Sequence, residues 1–364
     1  MTARSTNYDI AVVGAGIAGA TLAAEIGTRA RVLLLEAEDV AGYHATGRSA
    51  AFWSETYGGP GIQPLTSASG APLRDGGFLQ PLGSLHVGTA VDEVRADAFL
   101  AEFAGTGVVL SRVDPRDFLD GLRPGWNVGV MEESCAYIDV AALHADALAR
   151  AKKAGADLVT RAALTAATRA GSGWRIDTTA GTFSADVLVD AAGAWADPIA
   201  AIAGAAPLGI QPYRRTLVQL VTDPPATPDM PHVAHLGGEF YFKPEAGGRL
   251  WLSPHDETPC DPGDAQPEEL DVAIAIDRLE QVVDWHVTAL ERKWAGLRSF
   301  APDRLPVYGF DAQVPGFFWF AGQGGFGIQT APAAAVIGAA LLLGGDPGLG
   351  IDVARYDPAR FKPA

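Results

Sequence analysis

Residues Tyr8 to Glu36 read YDIAVVGAGIAGATLAAEIGTRARVLLLE. Tyr8 to Val13 is an apolar run of the length of one buried strand, Ala18 to Gly27 a run of small residues suited to a closely packed helix, and Arg31 to Leu35 a second strand. Together they form one βαβ unit. Gly14, Gly16 and Gly19 stand between strand and helix in the spacing Gly-x-Gly-x-x-Gly, where bare amides and the helix N-terminus can hold a pyrophosphate and a side chain would occupy its place. Glu36 closes the second strand, where a carboxylate can accept from both ribose hydroxyls and would repel a 2′-phosphate. The pattern predicts a dinucleotide with a free adenosine ribose and excludes NADP. By itself it does not separate FAD from NAD.

The rest of the chain sets the frame for that unit. At 364 residues, 48% hydrophobic and 19% charged, the chain can bury a full core and divide into two lobes. Its 43 acidic residues against 27 basic ones leave a net charge of −16, which argues against nucleic acid as a partner. Met1 to Asp9 contains no apolar signal core, and Ala331 to Leu343 falls short of the ~20 residues of a membrane helix, so a cytoplasmic protein without an integral membrane segment is expected. Cys135 and Cys260 are far apart and without motif, which suits a reducing compartment. His232 and His235, bracketed by Pro231 and Gly237, read as a loop, and no metal site is expected.

A second α/β stretch begins at Ile138, with a helix over 140–154, a strand from Asp157 to Val159, and a hairpin over Trp174 to Ile176 and Thr182 to Phe183. It runs through Asp186 to Asp190 into Ala191-Ala192-Gly193. From Tyr213 to Leu252 the pattern turns to short β segments, Leu217 to Val221, Glu239 to Lys243 and Arg249 to Leu252, between Pro- and Gly-rich turns. A long helix comes next, with Pro267 in its first turn, Glu268 and Glu269 at the positive end of its dipole, and an end near Val287. Phe317 to Ala321 is again a buried strand, followed by a glycine loop and the helix at Ala331.

One set of segments goes further. Gly42-Tyr43-His44-Ala45-Thr46-Gly47-Arg48-Ser49-Ala50-Ala51, six residues past Glu36, resembles the flavin-contacting segment of the D-amino-acid oxidase and dehydrogenase superfamily, and within it that of bacterial D-arginine dehydrogenases. Ala191 to Trp195, Gln211 to Arg215, Phe240 to Pro244, Trp294 to Arg298 and Gly322 to Gln329 resemble the same family in the same order, whereas Gly58 to about Asp120 matches poorly. The resemblance implies an α/β fold with an α+β second lobe: a Rossmann-like FAD-binding domain from residues 1–56, 138–212 and 294–364, and a mixed antiparallel β-sheet substrate domain from 57–137 and 213–293. It implies FAD, held non-covalently, by Ala18, Ala37, Ala45, Thr46, Gly47, Arg48, Ser49, Ala51, Phe52, Ala163, Gly193, Gly324, Gly325, Phe326, Gly327, Ile328 and Gln329, besides Gly14, Gly16, Gly19 and Glu36. Arg48 and Ser49 would reach the diphosphate, and Gly324 to Gln329 would turn amides and a helix dipole toward the reducible end of the ring.

The same resemblance implies a substrate site. Arg215 and Arg298 would clamp a planar carboxylate, which arginine binds bidentately, while Arg214 points the other way along a strand. Tyr57 and Tyr241 would donate phenolic hydrogen bonds. Phe52 stands where relatives carry a histidine beside the flavin, and Gly325 carbonyl, Tyr57 or water could take the amine proton. Ser84 replaces the acidic residue that holds a cationic side chain, so neutral and especially apolar D-amino acids are expected, oxidised to 2-oxo acid and ammonia. The electron acceptor is open between oxygen and a quinone. The alternatives are an enzyme of N-methyl amino acids, glycine or 2-hydroxy acids, a non-catalytic nucleotide-binding protein and, less readily, a NAD-dependent dehydrogenase.

Overall fold

The computed structural model describes residues 7–361; the expectations on residues 1–6 and 362–364 fall outside it. The opening unit folds as its pattern requires. Strands Asn7–Val13 and Val32–Leu35 pair in parallel around the helix Ile17–Ile26, and Ile10 and Val12 turn branched apolar side chains into the same core as Leu22, Ala23 and Ile26 of that helix. On their flanks, Gly181–Asp190 pairs in parallel with the first strand, Phe317–Ala321 with Gly181–Asp190, and Asp157–Val159 with Val32–Leu35. The five parallel strands are nearly all apolar because both faces are covered, one by the helices Ile17–Ile26 and Ala331–Leu343 and the other by Leu164–Ala170, Gly173–Thr178 and the short helix Ala196–Ile202. Leu164–Ala170 and Gly173–Thr178 add an antiparallel flap, and the hairpin expected from sequence forms between Gly173–Thr178 and the start of Gly181–Asp190. Among the described residues no helix is long and apolar enough to cross a membrane.

The second sheet is larger and mixed. Its strand order is Gln323–Gly324, His286–Phe300, Gln211–Asp223, Arg249–Ser253, Tyr241–Glu245, His232–His235, Ser84–Thr89, Trp126–Glu132 and Leu110–Val113, with one parallel pairing between His232–His235 and Ser84–Thr89. Phe52–Trp53, Ala136–Ile138 and Leu79–Pro81 form a separate three-stranded sheet.

Three sequence expectations change here. The helix spans Glu269–Val282, with Glu268 as N-cap, so Pro267 precedes it, and it stops short of Val287. Beyond it runs the 15-residue strand His286–Phe300, paired along the whole of Gln211–Asp223, so the boundary expected at residue 294 falls inside a strand of the second sheet. Its exposed charged stretch, Glu291 to Lys293, lacks the apolar alternation that marks a half-buried strand. Finally, His232 and His235 stand on a strand rather than in a loop, and a separation of three turns them to opposite faces.

Candidate active site

The nucleotide end of the site is built by close backbone packing. Gly19 lets the helix approach the first strand, since a Cβ there would lie 1.9 Å from the Gly14 carbonyl oxygen. Gly14 has φ +101°, and its Cβ would lie 2.4 Å from the Ala191 carbonyl oxygen, so the glycine turn and the 191–193 loop close on each other. Glu36 is 9% exposed, and its two carboxylate oxygens accept from the Ala15 amide at 3.1 Å and the Glu38 amide at 3.0 Å. Each oxygen keeps a further lone pair for a ribose hydroxyl. Thr46 Oγ1 accepts from the Ile17 amide at 3.0 Å and so ties the 42–51 segment to the helix N-terminus.

A cavity of about 410 Å³ runs from this point to the second sheet. Gly14, Gly16, Ala18, Glu36, Ala37, Ala45, Thr46, Ala163 and Gly193 line its nucleotide end. Arg48, Ser49, Arg215, Arg298, Gly324, Gly325, Gly327 and Ile328 line the remainder. A Cβ on Gly193, whose φ is +58°, would meet nothing within 4 Å, so this wall opens onto the space rather than into packing. Ala51, Phe52, Tyr57 and Gln329 line a small recess that shares Ser49, Arg298, Gly325 and Ile328 with the main cavity.

Gly47 and Phe326 are not on the cavity wall, and the polar groups of Gln329, Arg48 and Ser49 are already engaged. Gly47 supports the segment from behind, its Cβ position lying 2.8 Å from the Gly42 carbonyl oxygen. Phe326 packs away from the cavity on Phe300 and Ile62. Gln329 is buried, accepting from the Ser54 amide and donating to Tyr57 carbonyl and Thr66 Oγ1. Arg48 lines the cavity, yet its guanidinium is spent on the Asp264 carboxylate and the carbonyls of Ala265 and Ala295. The charge expected to meet a diphosphate is therefore already paired across the two lobes. Ser49 Oγ accepts from the Ala51 amide.

The far end of the cavity is cationic. Arg215 pairs with Gly296 across the antiparallel strands, which places Arg298, two residues on, diagonal to Arg215 on the same face. Arg214 falls on the other face, bonded to Glu268 and Asp271 of the helix. Arg298 donates to the Tyr57 and Tyr241 hydroxyls, so one guanidinium organises both phenols. Burial disfavours its charge, but the two tyrosines and the acids Glu257 and Asp256 outweigh that and raise its pKa. Arg215 is 2% exposed. It donates to the Asp256 carbonyl at 2.7 Å and to Glu257 Oε1 at 3.2 Å, while Nη1 has no hydrogen-bond partner. Burial, then repulsion from Arg298, lowers its pKa. A planar anion placed between the two guanidiniums would relieve both the repulsion and the orphaned donor.

Sequence reading missed the acids around this clamp. Glu257 bridges Arg215 and Arg304, and nothing in a Pro- and Gly-rich turn announces it. Glu132, fully buried at the end of Trp126–Glu132, accepts from Ser54 Oγ, the Glu55 amide and Thr56 Oγ1 at 2.7–2.8 Å. Its only sequence signal is an acid in the buried phase of a strand. Among the described residues no group of three or more His, Cys, Asp or Glu is arranged to hold a metal ion.

Comparison with known proteins identifies the family of this chain. The family model "FAD dependent oxidoreductase" (DAO) matches residues 9–341. The hydrogen cyanide synthase subunit HcnC of Pseudomonas aeruginosa is 28% identical over 223 residues, 59% of this chain and 51% of that protein. Human mitochondrial dimethylglycine dehydrogenase is 25% identical over 395 residues, 96% of this chain and 44% of that protein. The chain thus spans about half the length of the curated relatives it matches. Glycine oxidase from Geobacillus kaustophilus superposes with a TM-score of 0.84 at 25% identity, covering 98% of this chain and 99% of that one.

Proposed function

From a chain that belongs to the DAO family of FAD-dependent oxidoreductases and takes FAD as its cofactor, we propose an enzyme that oxidatively deaminates D-amino acids with neutral side chains to 2-oxo acids and ammonia. The observation that carries this reading is the diagonal pair Arg215 and Arg298 on one sheet face, at the opposite end of the cavity from Glu36. The residues on the cavity wall would hold the cofactor without a covalent bond: Glu36 at the ribose, the Gly14–Gly16 turn and Gly193 at the diphosphate, and Gly324, Gly325, Gly327 and Ile328, before the helix at Ala331, at the ring. When bound, FAD supplies the acceptor for the hydride and passes the electrons on to oxygen or a quinone.

The protein's part is orientation. Arg298 and the free Nη1 of Arg215 hold the substrate carboxylate, and Tyr57 and Tyr241, whose oxygens accept from Arg298, keep their own hydrogens to donate to it. Fixing the carboxylate fixes the Cα–H bond, which removes much of the entropic barrier. The amine gives up its proton to water before hydride leaves, Tyr57 and the Gly325 carbonyl being able to accept only a hydrogen bond from it; water then hydrolyses the imino acid. Cationic side chains are disfavoured because the clamp is itself doubly cationic and the nearby buried acid, Glu132, already accepts hydrogen bonds from Ser54, Glu55 and Thr56.

A second reading, oxidation of glycine or an N-methylated glycine, draws on the likeness to glycine oxidase and dimethylglycine dehydrogenase. Anaerobic flavin reduction with D- and L-amino acids, glycine, sarcosine and 2-hydroxy acids separates the readings, and admission of air afterwards tests oxygen as acceptor. Bleaching by D-amino acids with neutral side chains, and not by their enantiomers, is expected. Reduction by glycine or sarcosine alone would replace the first reading with the second, and reduction by none would reject both.

A further inference from the structure

We propose that His232 determines specificity at this site as a fixed hydrogen-bond donor that selects amino acids whose neutral side chain carries an acceptor oxygen. The inference rests on the amino-acid reading above and narrows it.

His232 stands opposite Ser84 in the parallel pair of strands, and Ser84 opposite Glu132 in the antiparallel pair, so the three side chains form one row on one sheet face. His86, two residues along from Ser84, shares that face. His232, Ser84 and Glu132 are 3%, 1% and 0% exposed. Polar groups this deep must satisfy one another, and the distances fix how they do.

Burial would raise the Glu132 carboxyl, but the nearby His86 imidazole and hydrogen bonds from Thr56 and Ser54 outweigh it and lower the pKa, so Glu132 is an anion. Nε2 of His86 lies 3.9 Å from Glu132 Oε2 and 3.4 Å from Ser84 Oγ, between two oxygens, and so carries a hydrogen. Ser84, receiving that hydrogen, turns its own toward Nδ1 of His232 at 2.9 Å. Burial and the charges of His86, Lys243 and His255 hold His232 well below the usual imidazole range, so it is neutral. A neutral imidazole that accepts at Nδ1 has its hydrogen on Nε2. That Nε2 is buried without a hydrogen-bond partner among the described residues.

The ring lies against the substrate clamp. Its centroid is 4.5 Å from Phe52 and 5.6 Å from Tyr241, and Phe52 lies 5.1 Å from Tyr57. Tyr57 and Tyr241 are the two phenols bonded to Arg298. His232 lines neither the cavity nor the recess, but Phe52, which packs on its ring, lines the recess; a side chain that reaches from Arg298 past Phe52 meets Nε2 as an unused donor. Where the resemblance favours apolar side chains, the orphaned donor favours a side-chain carbonyl or hydroxyl, because an apolar side chain would leave it unpaired.

The test is anaerobic flavin-reduction kinetics of the FAD-loaded protein with two isosteric pairs, asparagine against leucine and threonine against valine, each as the reactive enantiomer. The wild type is expected to prefer the polar member of at least one pair by about tenfold or more. In His232→Phe that ratio should fall to within about twofold of unity, in Ser84→Ala it should fall partway, and His232→Gln, which keeps an N–H, should restore part of it. Flavin content of each purified variant reports folding, and Ser84→Ala carries the test if His232→Phe fails to fold. A wild type that prefers leucine and valine, or a ratio unmoved by Ser84→Ala and His232→Phe, overturns the inference while leaving amino-acid oxidation intact. No reduction by either member or enantiomer overturns the amino-acid reading, and this inference with it.

Discussion

Replacing Arg298 by lysine tests the clamp with its charge preserved. The guanidinium engages Tyr57 and Tyr241 through its two terminal nitrogens and faces the cavity beside Arg215. A lysine ammonium keeps the positive charge but presents a single point, so it cannot hold a carboxylate bidentately and both phenols together. Each charged hydrogen bond in a largely dry site is worth about 1.5–3 kcal/mol. Losing one to the substrate and loosening the phenols should therefore remove about 2–4 kcal/mol from transition-state binding, or roughly 30- to 1000-fold in kcat/KM. The assay is anaerobic stopped-flow reduction of the flavin, which separates substrate affinity from the rate of the reductive step. Arg214→Lys is the control, because Arg214 lies on the opposite face with Glu268 and Asp271, and it should change kcat/KM by less than about threefold. Equal losses in the two variants, or an Arg298→Lys enzyme as fast as wild type, would refute the assignment of the carboxylate to this face.

The same geometry sets other outcomes. Glu257 occupies one nitrogen of Arg215 from a partly exposed position, so Glu257→Gln should tighten binding of unreactive carboxylic acids, read by flavin spectral titration, by about three- to tenfold. Gly14→Ala would thrust a methyl group to 2.4 Å from the Ala191 carbonyl oxygen at a positive φ, and purified variant should carry little flavin absorbance. Glu132→Ala leaves the Ser54, Glu55 and Thr56 donors without their acceptor, and chemical denaturation should show a loss of about 3–5 kcal/mol. His255 is pushed down to about 3 by burial and then by Arg215 and Arg298. Below a pH of about 6.5 the unfolded chain takes up a proton that the native imidazole refuses, so its contribution is complete above that pH and drains away as pH falls toward about 3. Between a pH of about 6.5 and about 4.5 the urea midpoint of wild type should therefore fall more steeply than that of His255→Gln.

The βαβ unit was legible because its signals are local: apolar runs of strand length, three glycines at fixed spacing and an acid closing the second strand. The pair Arg215 and Arg298 was legible through resemblance, and strand pairing explains it physically, since alternate residues on neighbouring antiparallel strands share a face. What sequence could not supply is the identity of distant partners. Arg48 is drawn off by Asp264, 216 residues away, and Arg215 by Glu257 in a turn with no pattern of its own. His286–Phe300 hid behind a run of charges because much of its outer half is exposed and lacks the periodicity of a strand with one face in the core. The row of His232, Ser84 and Glu132 draws on three strands separated by up to 148 residues, and only sheet register brings it together.

Where a carboxylate sits when FAD is bound decides the role of the two arginines. A crystal structure of the FAD-loaded protein with an unreactive carboxylic acid should place one carboxylate oxygen within hydrogen-bond distance of Arg298 and the other against Nη1 of Arg215. A carboxylate bound elsewhere in the cavity, with that nitrogen of Arg215 still unpaired, would contradict it.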